Sequence, residues 1–285
     1  MEQANHVKKV LNQNKLALGV WQLLPGSNLA RTLARSGYDW VLVDCEHGNI
    51  DDAAMHESVA AISSYGVSPI VRIPDFQSWM VKRTPPSYLY SGPCLTRVGA
   101  LDSGAHGVLA PLIHTVNDAK SFIEASKFPP HGKRGFGSPF SMDRFSIGLT
   151  ATEYLDQAND NILLAVQIET AQALASVDEI AAIDGLDLLF VGPFDLGNGI
   201  GYPVREKGIE PPLEEAIRRI MNAAHAARKK AGIYCGNGQQ AKYYADMGFD
   251  LVNVATDVGA LSAHLGGELA IVRQSEANKV GGPYG

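Results

Sequence analysis

The sequence lacks most of the features that mark specialised chemistries. It has three cysteines, Cys45, Cys94 and Cys235, too far apart for a CxxC pair. A disulfide framework and a thiolate zinc site are therefore not expected, and the thiols read as those of a reduced, cytoplasmic protein. No HExxH and no histidine cluster point to zinc of another kind. No stretch of about 18 apolar residues is long enough to cross a membrane. The opening MEQANHVKKVLNQNK has no apolar centre of the kind a secretory signal needs. The formal net charge is −6, with no Lys/Arg-rich block to offset it, which argues against a nucleic-acid surface. What remains, with 46% hydrophobic and 19% charged residues, is the composition of an ordinary soluble globular chain.

Short apolar, β-branched runs do occur, and they alternate with helical patterns. The strand candidates are 16–21, 40–44, 69–73, 107–113, 162–169, 186–192, 232–236 and 250–255. Between them lie amphipathic or alanine-rich stretches at 27–37, 51–66, 116–128, 170–183, 213–230 and 239–248, several closed by glycine. Strands apolar on both faces and separated by helices indicate βα units and a parallel sheet. Eight such units predict one α/β domain over 1–285, a single (β/α)8 TIM barrel, rather than an open doubly wound sheet. The first strand is followed by no GxGxxG turn, which further weakens a dinucleotide-binding alternative. GNGIG at 197–201 is a loose glycine cluster and a weak phosphate signal.

One segment interrupts the pattern. TPPSYLYSGPCLTRVG at 84–99 follows QSWMVKR and precedes ALDSG. Without it, those two pieces read as one helix closed by Gly104. Pro85 and Pro86 cannot continue that helix. The segment is an insertion on the outer helical layer, an interaction loop, or an unspliced intron read in frame.

In a barrel of this kind, reactive groups gather where the strands end. Asp44, Glu46 and His47 close the second strand candidate, in VLVDCEHG. Arg72 lies near the end of the third, Gln167 and Glu169 end the fifth, and Asp195 follows the sixth in VGPFDLG; His114 follows the fourth. Glu169 and Asp195 are the candidate metal ligands. Two carboxylates from neighbouring strands suit a hard divalent ion and leave positions for water and a chelating substrate. Helix capping or a rim salt bridge is the alternative for each. Arg72, flanked by Val71 and Ile73, needs a carboxylate partner or an anionic ligand. His47 is a candidate base oriented by Asp44, or a residue that only bonds the loop opened by Gly48. No lysine falls near the end of a strand candidate, which disfavours imine chemistry.

The pieces LGVW (18–21), YDWVLVDCEHG (38–48), VRIP (71–74), GVLAPLI (107–113), KRGFG (133–137), VQIET (166–170) and FVGPFDLG (190–197) together resemble the HpcH/HpaI family of class II pyruvate-dependent aldolases. The resemblance runs from about Leu18 to about Leu265. It implies a (β/α)8 barrel that reversibly cleaves a 4-hydroxy-2-oxo acid to pyruvate and an aldehyde. It also implies Mg²⁺, Mn²⁺ or a similar ion such as Co²⁺ on Glu169 and Asp195, and Arg72 holding the pyruvyl group and its enolate. By the same likeness, His47 and Asp44 form a catalytic pair, Gln167 and Trp21 line the site, and the backbone at Phe194 and Asp195 receives the substrate carboxylate. The family is usually trimeric or hexameric with the last helix exchanged, so a homo-oligomer is expected. Two departures stand out: Phe194 replaces a small residue, and 84–99 interrupts an outer helix. Oxaloacetate decarboxylation, a macrophomate synthase-like reaction, a citrate lyase-type subunit and a non-catalytic barrel remain alternatives.

Overall fold

The computed structural model describes residues 1–75, 99–205 and 208–280, the side chains of 274–280 excepted. Its strands are β1 (Ala17–Gln22), β2 (Trp40–Asp44), β3 (Ser68–Arg72), β4 (Gly107–Ala110), β5 (Leu163–Ile168), β6 (Leu188–Val191), β7 (Lys230–Ile233) and β8 (Leu251–Thr256). They pair in chain order, β8 returning to β1, to close a barrel in which every pairing is parallel. The expected (β/α)8 barrel is therefore present. The helices are α1 (His6–Asn12), α2 (Ser27–Ala34), α3 (Asp52–Ser63), α4 (Val116–Ser126), α5 (Ala151–Asn161), α6 (Ala171–Ala175), α7 (Val177–Ala181), α8 (Pro193–Gly199), α9 (Pro211–Ala226), α10 (Gly238–Met247) and α11 (Asp257–Val280).

The expected elements differ from these mainly in extent. The helix read over 170–183 is two short ones, with Ser176 between them. The one read to 230 stops at Ala226, and Lys230 instead opens β7. The 84–99 segment lies, apart from Gly99, outside the described residues.

Strand side chains alternate between two sides, so residues two apart share a face. One set points outward: Val41, Val43, Val71, Val108, Leu164, Val166, Leu189 and Ile233 join the helices in the larger core. The other set fills the lumen. Trp40, Leu42, Ile70, Leu109, Leu163, Ala165, Leu188, Phe190 and Leu251 pack there on Val7 and Leu11 of α1. The N-terminal segment is thus a plug beneath the barrel. Only about 10 Å³ remains open within the lumen, so a ligand must bind above it, at the C-terminal ends of the strands.

A polar network ties the plug down. Asn5 donates to the carbonyls of His106 and Asn161 at 2.7 and 2.6 Å, and Ser68 Oγ accepts from the Val7 N–H. His106 Nε2 donates to the Arg144 carbonyl at 2.9 Å, and Nδ1 lies 3.1 Å from Ser68 Oγ. Burial pulls its pKa down to about 4, against the small opposing effect of the Arg144 bond. The unfolded chain then takes up this proton near 6.5, before the folded one can. The stability that neutral His106 contributes is present above about 6.5 and lost as pH falls toward 4, on the order of 2–3 kcal/mol. Urea unfolding of wild type and His106→Gln at pH 7 and pH 4.5 isolates this contribution from that of other groups: on acidification wild type should fare worse than the variant by about 2–3 kcal/mol.

Candidate active site

The inward set continues past the lumen, and its last members are polar. Trp40-Leu42-Asp44, Ile70-Arg72 and Leu163-Ala165-Gln167 each run from apolar to polar along one face, as strand alternation dictates. Trp21, Asp44, Arg72, Gln167, Tyr234 and the Gly192–Asp195 segment surround a cavity of about 270 Å³, with Leu23 and His47 at its wall. Seven of the eight candidate site residues line it; Glu169 lies immediately against them. His114 is exposed and bonds only through its backbone N–H, to Asp118.

Asp44 and Arg72 are register partners on β2 and β3. Arg72 Nε donates to Asp44 Oδ1 at 2.9 Å and Nη2 donates to Oδ2 at 2.5 Å, a bidentate pair. Trp21 Nε1 also donates to Oδ2 at 2.9 Å, and the Arg72 guanidinium lies 5.0 Å from the Trp21 ring centroid. Burial pushes the Asp44 carboxyl up, but Arg72 and Trp21 reverse this and hold it below the usual carboxylate range.

The expected Asp44–His47 contact takes a different form. Asp44 Oδ1 accepts the backbone N–H groups of Glu46 and His47 at 3.0 and 3.2 Å. The His47 ring is 62% exposed, with Glu46 Oε2 3.9 Å from its Nε2. The cause is register: the adjacent strand brings Arg72 to Asp44, while the chain turns sharply after it. Gly48 permits that turn, because a Cβ there would sit 2.2 Å from the Asp44 carbonyl oxygen.

Glu46, to which the sequence assigned no separate role, also approaches the site. Its Oε2 is 2.9 Å from Arg72 Nη1, in ion-pair range but without hydrogen-bond alignment. Burial pushes its carboxyl up to about 7; Arg72 opposes this, and Asp44 and Asp195 add to it. Its parity with Asp44 was the available sequence signal.

Glu169 is buried and accepts from the Leu112 N–H at 2.7 Å and from the Gln167 amide. Leu112 holds φ at 49°, a left-handed conformation uncommon for a branched residue, which no sequence motif announced. Burial raises the Glu169 carboxyl to about 7; the Leu112 bond opposes this, and Glu46 and Asp195 add to it. Capping of the next helix falls to Thr170 rather than Glu169. Asp195 is exposed in the first turn of α8, after Pro193. Gly192 gives Gln167 and Glu169 their space, since a Cβ there would lie 2.6 Å from each. Tyr234, at the end of β7, and Leu23, after β1, are lining residues the sequence did not single out.

These carboxylates form no preformed cation cage: among the described residues no group of three or more His, Cys, Asp or Glu is so arranged. Glu169 and Asp195 offer hard oxygen donors, and the buried Gln167 Oε1 has no partner. Among the described residues, the carboxylates of Glu46, Glu169 and Asp195 at the site outnumber the one guanidinium of Arg72. That donor set fits a hard divalent cation with open positions.

The family model described as HpcH/HpaI aldolase/citrate lyase matches residues 17–263, from the first strand into the last helix. The chain belongs to this family. It is 35% identical over 259 residues to a protein of Rhizorhabdus wittichii named hydroxypyruvate/pyruvate aldolase, covering 91% of this chain and 95% of that one. Among solved structures it resembles an HpcH/HpaI family protein from Burkholderia cenocepacia J2315, with a TM-score of 0.80 and 31% identity over 94% of this chain and 99% of the other. Macrophomate synthase shares the fold, with a TM-score of 0.80 at 24% identity over 99% and 92% of the two chains. The family describes enzymes that make or break carbon–carbon bonds, and this chain is an aldolase of that kind.

The buried pair at the centre of the site has a measurable cost of removal. Asp44→Ala should destabilise the protein by about 3–5 kcal/mol, because it strands a buried guanidinium. Chemical denaturation checks this; a loss under 1 kcal/mol would contradict the pairing.

Proposed function

We propose that the enzyme reversibly cleaves a 4-hydroxy-2-oxo acid to pyruvate and an aldehyde, with a divalent cation held by Glu169 and Asp195. The observation that carries this is Arg72, a lining residue of the cavity held by Asp44 and stacked near the Trp21 ring. When bound, Mg²⁺, Mn²⁺ or a similar ion supplies Lewis-acid polarisation of the oxo group.

The chain's own residues do the rest. The backbone at Phe194 and Asp195 receives the substrate carboxylate, and the Gln167 amide lines the pyruvyl site. His47, at the mouth, takes the proton of the 4-hydroxyl. The bond between C3 and C4 breaks, the hydroxyl carbon becomes the aldehyde, and the electron pair passes into the oxo group as enolate. Arg72, itself buried, stabilises that negative oxygen. Asp44 holds the guanidinium in place, so its role is positioning. Protonation of the methylene carbon then gives pyruvate. The compartment consistent with free Cys45 and Cys235 thiols is the cytoplasm.

Pyruvate alone tests this chemistry. In D₂O with Mg²⁺, its methyl protons should exchange, and EDTA should abolish the exchange. Glu169→Ala and Asp195→Ala should do the same, and Arg72→Ala should slow exchange by about 10²–10³-fold. Exchange that persists in EDTA would remove the metal assignment.

The proposed assembly is a homo-oligomer, a trimer or hexamer that exchanges α11. Leu261, Leu265 and Leu269 recur every fourth residue along this helix and are exposed, as is Ile271. An apolar stripe left in water needs a partner. Changing Leu261, Leu265 and Leu269 together to Lys should yield a monomer by light scattering; an unchanged mass would sink the exchange.

A further inference from the structure

The cavity lining combines two chemistries. Asp44, His47, Arg72, Gln167 and Asp195 supply charge and hydrogen bonds, while Trp21, Leu23, Pro193, Phe194 and Tyr234 supply apolar surface. Its rings follow one another. Trp21 and Tyr234 meet edge to face with centroids 5.3 Å apart, and Tyr234 and Phe194 do so at 6.1 Å. Phe194 is the outermost and is 55% exposed. The packing of α8 does not require it, since Pro193, Leu196 and Gly197 bury that helix. A phenylalanine left half in water at the mouth of a cavity is apolar surface available to a ligand.

We infer that Leu23, Tyr234 and Phe194 form the acceptor subsite, selecting an aldehyde with an aromatic or other apolar substituent over a polyhydroxylated one. This rests on the proposed aldol reaction and names its second substrate class. Seating the pyruvyl group by Arg72 leaves the aldehyde chain to extend along the ring wall toward the mouth. A flat apolar substituent there gains offset or edge contact with Tyr234 and Phe194. The hydroxyls of a sugar-derived aldehyde would instead lose water against a surface with few hydrogen-bonding groups. His47 at the mouth serves the reacting oxygen and leaves the further hydroxyls without a histidine partner.

The test is acceptor competition in the synthetic direction, with the metal-loaded enzyme and pyruvate. Wild type should show kcat/KM for benzaldehyde at least about tenfold above that for glyceraldehyde. Phe194→Ala should shift this ratio toward glyceraldehyde by about tenfold, and Phe194→Leu by less. Using the ratio cancels any effect of the substitution on pyruvate. Leu23→Ser should move it in the same direction. Equal use of both aldehydes, or a ratio that Phe194→Ala leaves unmoved, overturns the acceptor assignment while pyruvate exchange still stands. Absence of metal-dependent exchange in wild type overturns the aldolase chemistry and this inference with it, so the two failures are distinguishable.

Discussion

The site depends on the ion pair between Asp44 and Arg72. A guanidinium among apolar strands is tolerable only with its charge matched and its donors bonded. Register supplies the match, because the two residues face each other on β2 and β3. The carboxylate is then saturated by Arg72, Trp21 and two backbone N–H groups. One side chain thereby sets the direction of the arginine, the orientation of the indole and the turn after β2. Rigid placement of this kind allows charge stabilisation without reorganisation.

Around that pair the charge is unbalanced by design of the sequence. Asp44 consumes the nearest part of Arg72, and Glu46, Glu169 and Asp195 add negative charge, with no further Lys or Arg among the described lining residues. Burial and mutual repulsion raise Glu46 and Glu169 to about 7. A divalent cation held by Glu169 and Asp195, as proposed, would relieve this. Leu23, Pro193 and Phe194 in the same lining carry no charge, the contrast on which the inferred acceptor subsite rests.

The scaffold beneath is rigid for ordinary reasons. The lumen is filled by large side chains and closed below by α1, so the strand ends have little room to shift. Loops above it are tied to one another: Asp257 accepts the N–H groups of Leu23 and Leu24, both at 2.9 Å, and Asn49 N–H donates to the Leu23 carbonyl, also at 2.9 Å. Leu23 in the cavity wall is thus fixed from the start of α11.

Much of this was legible in the chain. Buried parallel strands are apolar on both faces, so eight of them with intervening helices specified the barrel, and polar residues at their ends marked the rim. Asp44, Arg72, Gln167, Glu169 and Asp195 stood out as polar residues at or just after strand ends, which is local information, whereas Trp21 and Phe194 came from the resemblance to the family. Partner choice was not local. Asp44 has Arg72 rather than the His47 ring because of an adjacent strand 28 residues on. Glu46 entered the site through a turn, Leu112 through a left-handed backbone, and Tyr234 by closing the barrel beside Trp21. The sequence by itself determined which residues face the lumen and which end it in charge, since alternation and hydrophobicity are read along one strand. Only the tertiary structure decided which of those charges meet, because pairing, burial and the shape of the cavity depend on the distances between strands.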